Sequence, residues 1–328
     1  MPSPLTPSLH AHGNAVRIKV GVGACVVGAP VRFNGGAKKN SEPIERLAQC
    51  FELRPFCPEM AIGLGVPRPP LRVVGAAHGQ RVVDSDTGAH DVTAALRASA
   101  TDFLGANPEL CGYIFVKNSP SCGMERVKRY SDSGVVLGND AVGAFAAALM
   151  AADPLLPVEE DGRLHDEHLC ESFVARVFTY SQWRELCRSG LTQRALQQFY
   201  ARHKYLIMSR HVPTYRELGP LLATPTEAID ELAARVIGLI MTALRKPSTR
   251  AGHTNALQHI CGYLKNDLSK EEKHELKELI EQYRIGHVPL VVPLTLLRHH
   301  FRQFPDPYIE QQLFMRPYPD ALRLRNSL

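Results

Sequence analysis

The chain has 328 residues, of which 45% are hydrophobic and 22% charged, and its net charge is +5. This composition is typical of a soluble globular protein and excludes the collagen-like, coiled-coil and disordered classes. The longest apolar run, at 141–152, is shorter than the roughly 20 residues of a membrane-spanning helix. The N-terminal residues lack the pattern of a signal peptide. We therefore expect a cytoplasmic protein whose eight cysteines are reduced, metal-binding or catalytic.

The first half of the chain alternates strand and helix patterns. Strands are predicted at 16–23, 71–75, 81–84 and 111–116, and helices at 42–51, 91–103 and 139–152. Strands that alternate with helices indicate a parallel sheet covered on both faces. We therefore predict an α/β/α domain over residues 16–152, preceded by a disordered Pro/Ser-rich tail over 1–15.

The second half is predicted to be helical. A segment with two prolines and an acidic cluster, 153–162, is typical of a linker. Helices are expected over 191–208, from a capping box at 224–227, from a capping box at Ser269 to Arg284, and over 294–304. We therefore predict an all-α domain over residues 163–328.

Basic residues of the second half gather in three stretches that contain no acidic residue, at 186–216, 232–266 and 282–305. Acidic residues concentrate elsewhere, at 159–171 and 267–281. This segregation can give a folded domain one positive face, as expected for a nucleic-acid partner. The alternative is that these are ordinary solvated helix faces whose partners lie across the fold.

Three cysteines of the first half fall in predicted loops. Cys25 follows the first strand, Cys57 lies in the segment FCPE, and Cys122 follows the apolar strand at 111–116. Loops that follow parallel strands meet at one edge of a sheet, where sites form. Three converging thiolates match an iron–sulfur cluster with one open iron, or a catalytic zinc. The spacing alone leaves open a third interpretation, three unrelated buried thiols.

A carboxylate accompanies one of these cysteines. Glu59 lies two residues after Cys57. A carboxylate beside an open metal position is a candidate general acid or base.

Four segments of the first half resemble the signature motifs of the thiouracil desulfidase-like family: GACVVGAPVRFNGGAKKN, PFCPEMAIGLGVPRPP, SDTGAHDVT and KNSPSCG. Their order and separation agree with the family over residues 16–155. Residues 200–328 resemble the YbgA-type domain, through segments such as RHKYL, HICGYLK and PLTLLRHH. The two domains together resemble bacterial desulfidases that convert 4-thiouridine in tRNA back to uridine.

The resemblance implies a 4Fe-4S cluster on three cysteines, with one iron lacking a protein ligand. The ligands would be Cys25, Cys57 and Cys122. The open iron would bind the thiocarbonyl sulfur of a thiolated pyrimidine and make its carbon 4 electrophilic. Glu59 would activate the attacking water and later pass protons to the leaving group. Ser119 and Ser121 would donate hydrogen bonds to cluster sulfide or to a pyrimidine oxygen.

The first loop departs from the family pattern. The family usually has an Asp-Gly-Gly-His-Lys type run, where this chain has NGGAK at 34–38. Asn34 keeps the hydrogen-bonding shape but loses the charge, and Ala37 loses an imidazole. Neither position is therefore assigned a catalytic role.

The acid-free stretches are where tRNA would dock. A base that leaves its stack to reach the cluster requires a grip on the flanking backbone. The predicted RNA contacts are Arg202, His203, Lys204, Arg245, Lys246, Arg250, Lys265 and Arg298.

The sequence is also compatible with two alternative functions. One is a desulfidase of free thiopyrimidine bases or nucleosides, which would not need the basic stretches. The other is a non-enzymatic iron–sulfur or zinc protein that senses redox state or binds nucleic acid. An open coordination position that responds to substrate would distinguish the enzymes from the sensor.

Overall fold

A computed structural model describes residues 17–38, 41–76 and 79–328, so the predicted tail lies outside the described residues. The strands are β1 Ile18–Gly23, β2 Phe51–Phe56, β3 Leu71–Val74, β4 Arg81–Asp84, β5 Leu110–Phe115, β6 Val127–Tyr130, β7 Val136–Ala141 and β8 Val158–Glu160. The helices of the first half are α1 Glu42–Ala48, α2 Pro58–Ala61, α3 Thr93–Ala106 and α4 Ala144–Ala152. Those that follow are α5 Glu167–Ser189, α6 Gln193–Met208, α7 Val212–Ala223, α8 Ile229–Leu244, α9 Arg250–Cys261, α10 Lys270–Arg284, α11 Val291–Gln303 and α12 Pro307–Glu310.

The main sheet has the order β2-β1-β5-β8, and every neighbouring pair is parallel. All six residues of β5 are buried, as expected of a strand covered on both faces. Gly21 is required in β1, because a Cβ there would lie 2.3 Å from the ring of Tyr113. The sheet brings the carboxyl ends of β1, β2, β5 and β8 to one edge.

A second sheet has the order β4-β3-β6-β7. Its outer pairs are antiparallel and its central pair, β3 with β6, is parallel. The sequence indicated β3 and β4 but not β6 or β7. In β7, most residues are exposed and lack an apolar alternation.

The expected fold class, a parallel-sheet α/β region followed by a helical region, is confirmed. Two local predictions are wrong. The helix predicted at 139–152 begins only at Ala144, because residues up to Ala141 form β7. The helix expected from a capping box at 224–227 begins at Ile229, without a side-chain cap. The capping box of Ser269 and Glu272 is present.

The segment 153–162, predicted as a linker, contains β8. Helix α5 then packs on the sheet, since a Cβ on Gly112 of β5 would lie 2.8 Å from Val177. No helix among the described residues is both long and apolar enough to cross a bilayer.

Candidate metal centre

The three predicted cysteine ligands meet at the carboxyl edge of the main sheet. Cys25 lies in the 3-10 turn Ala24–Val27 after β1, and Cys57 is the N-cap residue of α2 after β2. Cys122 lies in the turn that follows β5. The negative charge of either of the other two thiolates would raise the pKa of Cys122, so the three side chains are electrostatic neighbours.

Burial favours the neutral form of all three thiols. It raises the pKa of Cys25 and Cys57, and it raises that of Cys122 well above its ordinary value. The protein also provides compensation for thiolate charge. The ammonium of Lys38 lowers the pKa of Cys25, and the backbone N–H of Met60 lowers that of Cys57. Metal binding would therefore release protons from this site.

Three soft thiolate donors suit a 4Fe-4S cluster that leaves one iron without a protein ligand. A single zinc, with Zn–S bonds of about 2.3 Å, would draw its thiolates to within about 4 Å of one another. In a 4Fe-4S cluster each thiolate binds a different iron, so the thiolates stay farther apart.

Glu59 lies beside the thiols, on the first turn of α2. Its Oε1 accepts a hydrogen bond of 2.7 Å from Oγ of Ser121, which is fully buried. Its negative charge is among the causes that raise the pKa of Cys57 and Cys122. The fold thus places the predicted acid or base next to two of the predicted ligands.

Arg68, which the sequence analysis did not single out, holds the other oxygen of Glu59. Its Nε donates to Oε2 at 2.7 Å, and a second nitrogen lies 2.5 Å from the same oxygen. The remaining guanidinium hydrogen bonds go to the backbone carbonyls of Val31 and Gly65 and to Sδ of Met60. The Arg68 side chain is only 5% exposed. The sequence contains a signal for it, because Arg68 lies inside PFCPEMAIGLGVPRPP, one of the segments that resemble the family motifs.

Lys38 and Asp161 form a second ion pair, beside Cys25. Nζ of Lys38 lies 2.6 Å from Oδ2 of Asp161, and the backbone N–H of Lys38 donates to the carbonyl of Cys25. Asp161 also accepts from the backbone N–H of Lys117. Asp161 follows β8 and belongs to the segment predicted as a linker, so its place beside Cys25 could not be expected from the sequence.

The first loop is a surface turn. Asn34 and Ala37 are exposed, and Oδ1 of Asn34 accepts from the backbone N–H of Gly36. The substituted Asn34 therefore closes its own turn.

The loop of Ser119, Ser121 and Cys122 is fixed by hydrogen bonds. Oγ of Ser119 accepts from the backbone N–H of Cys122 at 3.0 Å. The first N–H groups of α4 donate to the carbonyls of Pro120 and Ser121. The hydroxyl of Ser121 donates its hydrogen to Glu59 and therefore orients the carboxylate.

Two family models match the chain, one in each half. Residues 20–161 match the family model of 2-thiouracil desulfurase, and residues 204–319 match that of a protein of unknown function, DUF1722. The chain is 30% identical over 159 residues to the uncharacterized protein YbgA of Escherichia coli (strain K12), across 48% of this chain and 94% of that protein. The chain belongs to the YbgA family.

A solved structure also matches the chain. It is that of the 4Fe-4S-dependent thiouracil desulfidase TudS, with 30% sequence identity, 46% of this chain and 95% of that chain covered, and a TM-score of 0.37. The predicted fusion of a thiouracil desulfidase-like domain to a YbgA-type domain is confirmed.

Some predicted RNA contacts of the YbgA-type domain are on its surface. Arg245, Lys246 and Lys265 are exposed. Arg245 donates to the carbonyl of Pro154, which lies inside the region that matches the 2-thiouracil desulfurase model. Lys204 is half-buried, and its ammonium faces tyrosine rings.

Others have internal roles. His203 is 0% exposed, bonds the carbonyl of Phe199, and has its pKa lowered by burial to about 3. The prediction that His203 contacts RNA is therefore wrong, because a neutral buried ring cannot reach a phosphate. Arg250 donates to the carbonyl of Tyr283, and Arg298 donates to Asp320. Burial lowers the pKa of Arg202.

Proposed function

We propose that this protein is a desulfidase of thiolated pyrimidines that holds a 4Fe-4S cluster on Cys25, Cys57 and Cys122. The observation that carries the proposal is the meeting of three thiols beside a carboxylate that serine and arginine hold in place. The matched 2-thiouracil desulfurase family and the printed cofactor of TudS support it. The proposed substrate is 4-thiouridine in tRNA.

Each residue of the site has a separate role in the proposed reaction. The cluster, when bound, supplies a Lewis-acidic iron for the thiocarbonyl sulfur. Glu59 accepts a proton from a water molecule and directs that water at the ring carbon. Arg68 and Ser121 hold the carboxylate in one orientation, so little reorganisation is needed during the reaction. The proton then passes from Glu59 to the departing sulfur, and the hydrogen of the new C–OH group is lost to solvent as the C=O bond forms. The balance is therefore thiocarbonyl and water in, carbonyl, hydrosulfide and one proton out.

The charges near the ligands support thiolate coordination. Lys38 offsets the charge of Cys25, and Asp161 fixes the position of Lys38. Backbone N–H groups of α2 compensate Cys57. A buried site would otherwise keep these thiols protonated.

The proposal of tRNA as substrate rests on the YbgA-type domain. It contains the acid-free basic stretches, and Arg245, Lys246 and Lys265 are exposed there. Free thiopyrimidine is the second candidate substrate, because the desulfurase domain alone provides the thiols and Glu59.

The test is nucleoside mass spectrometry of tRNA incubated with anaerobically reconstituted protein. We expect 4-thiouridine to be converted to uridine, with a much lower kcat/KM for the free nucleoside. Cys25→Ala, Cys57→Ala and Cys122→Ala should each lose iron and activity. Cys50→Ala, a half-buried cysteine outside the site, is the matched control. Unchanged tRNA together with rapid turnover of free thiouracil would exclude tRNA as the substrate.

A further inference from the structure

A cavity of about 490 Å³ lies between α6, α7 and α9, in the YbgA-type domain. Ligand pockets commonly enclose about 300–1,000 Å³. Its apolar floor is the buried Met208, while Val212 and the exposed Ala251 add apolar lining, and the lining contains no carboxylate. The cavity therefore suits a flat apolar group attached to an anion.

Three polar side chains that line the cavity are free to bind a ligand. Arg216 and His259 are exposed, and Asn255 is half-buried. Within the described ranges, none of the three side chains makes a hydrogen bond or an ion pair. An arginine fork matches phosphate oxygens, and a carboxamide offers both a donor and an acceptor to a base edge.

Tyr215 connects the cavity to a group of tyrosines around Lys204. The ammonium of Lys204 lies 5.6 Å from the ring centroid of Tyr205 and 5.8 Å from those of Tyr215 and Tyr308. No ion pair joins Lys204 to a carboxylate among the described residues. These rings and a hydrogen bond to the Tyr308 side chain thus hold a cation whose charge is not neutralised.

An exposed ring extends the same surface. Tyr263 is 39% exposed and stacks on Tyr308, with ring centroids 5.8 Å apart. Asn255, His259 and Tyr263 follow one another at four-residue spacing along α9 and the 3-10 turn after it, so they share one side. We call the cavity with Lys204 and Tyr263 the α9 strip.

We propose that the α9 strip binds an unpaired nucleotide of RNA, with its phosphate on Arg216 and His259 and bases against the cavity floor and Tyr263. Single-stranded RNA is recognised by aromatic stacking, contacts to base edges and nearby positive charge, and the strip offers all three. This inference rests on the proposed function for the identity of the RNA. Extruding a thiolated base would leave neighbouring nucleotides unpaired and available to the strip.

The test is equilibrium binding of the full chain to tRNA, a short oligouridylate and uridine monophosphate. We expect Arg216→Ala with His259→Ala to weaken RNA binding about tenfold and to reduce the salt slope by about 0.7–0.9 for each lost phosphate contact. Tyr263→Ala should weaken it about tenfold, whereas Tyr263→Phe keeps the stacking ring. Ala251→Trp should block the cavity.

Arg194→Ala is the matched control. Arg194 is exposed on the first turn of α6, about 20 Å along the axis from Met208, so its loss should leave RNA binding unchanged. None of these variants touches the metal centre, so turnover of free thiopyrimidine should stay at the wild-type rate.

Wild-type RNA affinity in all the cavity and Tyr263 variants would overturn the proposal. Equal affinity for uridine monophosphate and for the oligomer would overturn the RNA assignment, because the site would then serve a free nucleotide. Turnover of thiolated tRNA by the wild-type protein is measured in parallel. Its absence would count against the proposed function, whereas loss of oligomer binding in the variants would still support the strip.

Discussion

Both oxygens of Glu59 are held by side chains from other parts of the chain. Ser121 comes from the loop after β5, and Arg68 comes from the loop before β3. Arg68 also bonds the carbonyl of Val31, in the loop that follows Cys25. One guanidinium therefore links the loops after β1 and before β3 to the carboxylate.

Arg68→Met should lower kcat about a hundredfold while the iron content stays near that of the wild type. The physical reason is that Glu59 loses its orientation, and a small misplacement of a catalytic group costs about that factor. Arg68→Lys should recover part of the rate. Glu59→Ala should lose about 10²–10⁴-fold, the contribution of general acid–base catalysis.

The control for Arg68 is Arg54→Met, which removes a guanidinium from a surface ion pair with Glu52. Iron content and thermal midpoint are measured for each variant. If Arg68→Met turned over at the wild-type rate with full iron, Arg68 would have no positioning role. If it lost iron as well as activity, its role would be structural.

At the scale of single residues, the sequence predicts what is local. Cys57 and Glu59 are two residues apart, so both lie at the start of α2. The three cysteines were predicted as ligands because each falls in a predicted loop. Arg68, Lys38 and Asp161 act through tertiary contacts, and Lys38 and Asp161 are 123 positions apart. Pattern rules carry no information about such pairs.

Among the elements, α4 bears most directly on the site. Its first turn holds the Cys122 loop, and Gly143, its N-cap residue, lies directly against that loop. A Cβ on Gly143 would lie 2.5 Å from the carbonyl of Ser121 and 2.8 Å from the backbone nitrogen of Cys122. Backbone atoms cannot move aside as a side chain can.

Gly143→Ala should therefore displace the third ligand. We expect a loss of about 1–3 kcal/mol in the free energy of unfolding, typical of overpacking, together with reduced iron content. Gly105→Ala in α3 is the control, because no atom lies within 4 Å of its Cβ. Denaturant unfolding and iron analysis check both variants. Full iron occupancy in Gly143→Ala would contradict the argument.

The sequence predicted the elements whose apolar residues follow a clear helical or strand periodicity. β4 was predicted at its observed bounds, and the helix expected at 191–208 corresponds to α6. β2 was missed because Arg54 and Pro55 interrupt its apolar pattern, and β8 because it has only three residues. Both are edge strands, whose pairing depends on the neighbouring strand more than on their own composition.

At the scale of the whole molecule, α5 packs against the main sheet on one side and against the other helices on the other side. On one side Phe178 packs on Phe51 of β2, with ring centroids 5.5 Å apart. On the other side Oγ of Ser172 donates to the carbonyl of Leu244 in α8, and Glu171 forms a fully buried ion pair with Arg210. The buried apolar residues of the main sheet and of the helical region form one continuous cluster, whereas the second sheet has a small cluster of its own.

We therefore expect the chain to unfold in a single cooperative transition. Trp183, the one tryptophan, packs against Phe199 of α6 and reports on the helical side. Hydrogen exchange of β5 reports on the sheet, because all its residues are buried. The two probes should give the same denaturant midpoint, because unfolding of α5 would expose the buried residues of both regions to water.

Gly112→Ala makes the comparison sharper. Its Cβ would lie 2.8 Å from Val177 and 3.4 Å from Phe173, so it would push α5 away from the sheet. Both midpoints should fall by the same amount, with a cost of about 1–3 kcal/mol. A fall in the β5 midpoint alone would show that the sheet and the helices unfold independently. In that case a chain ending before α5 would be expected to fold, which the shared core argues against.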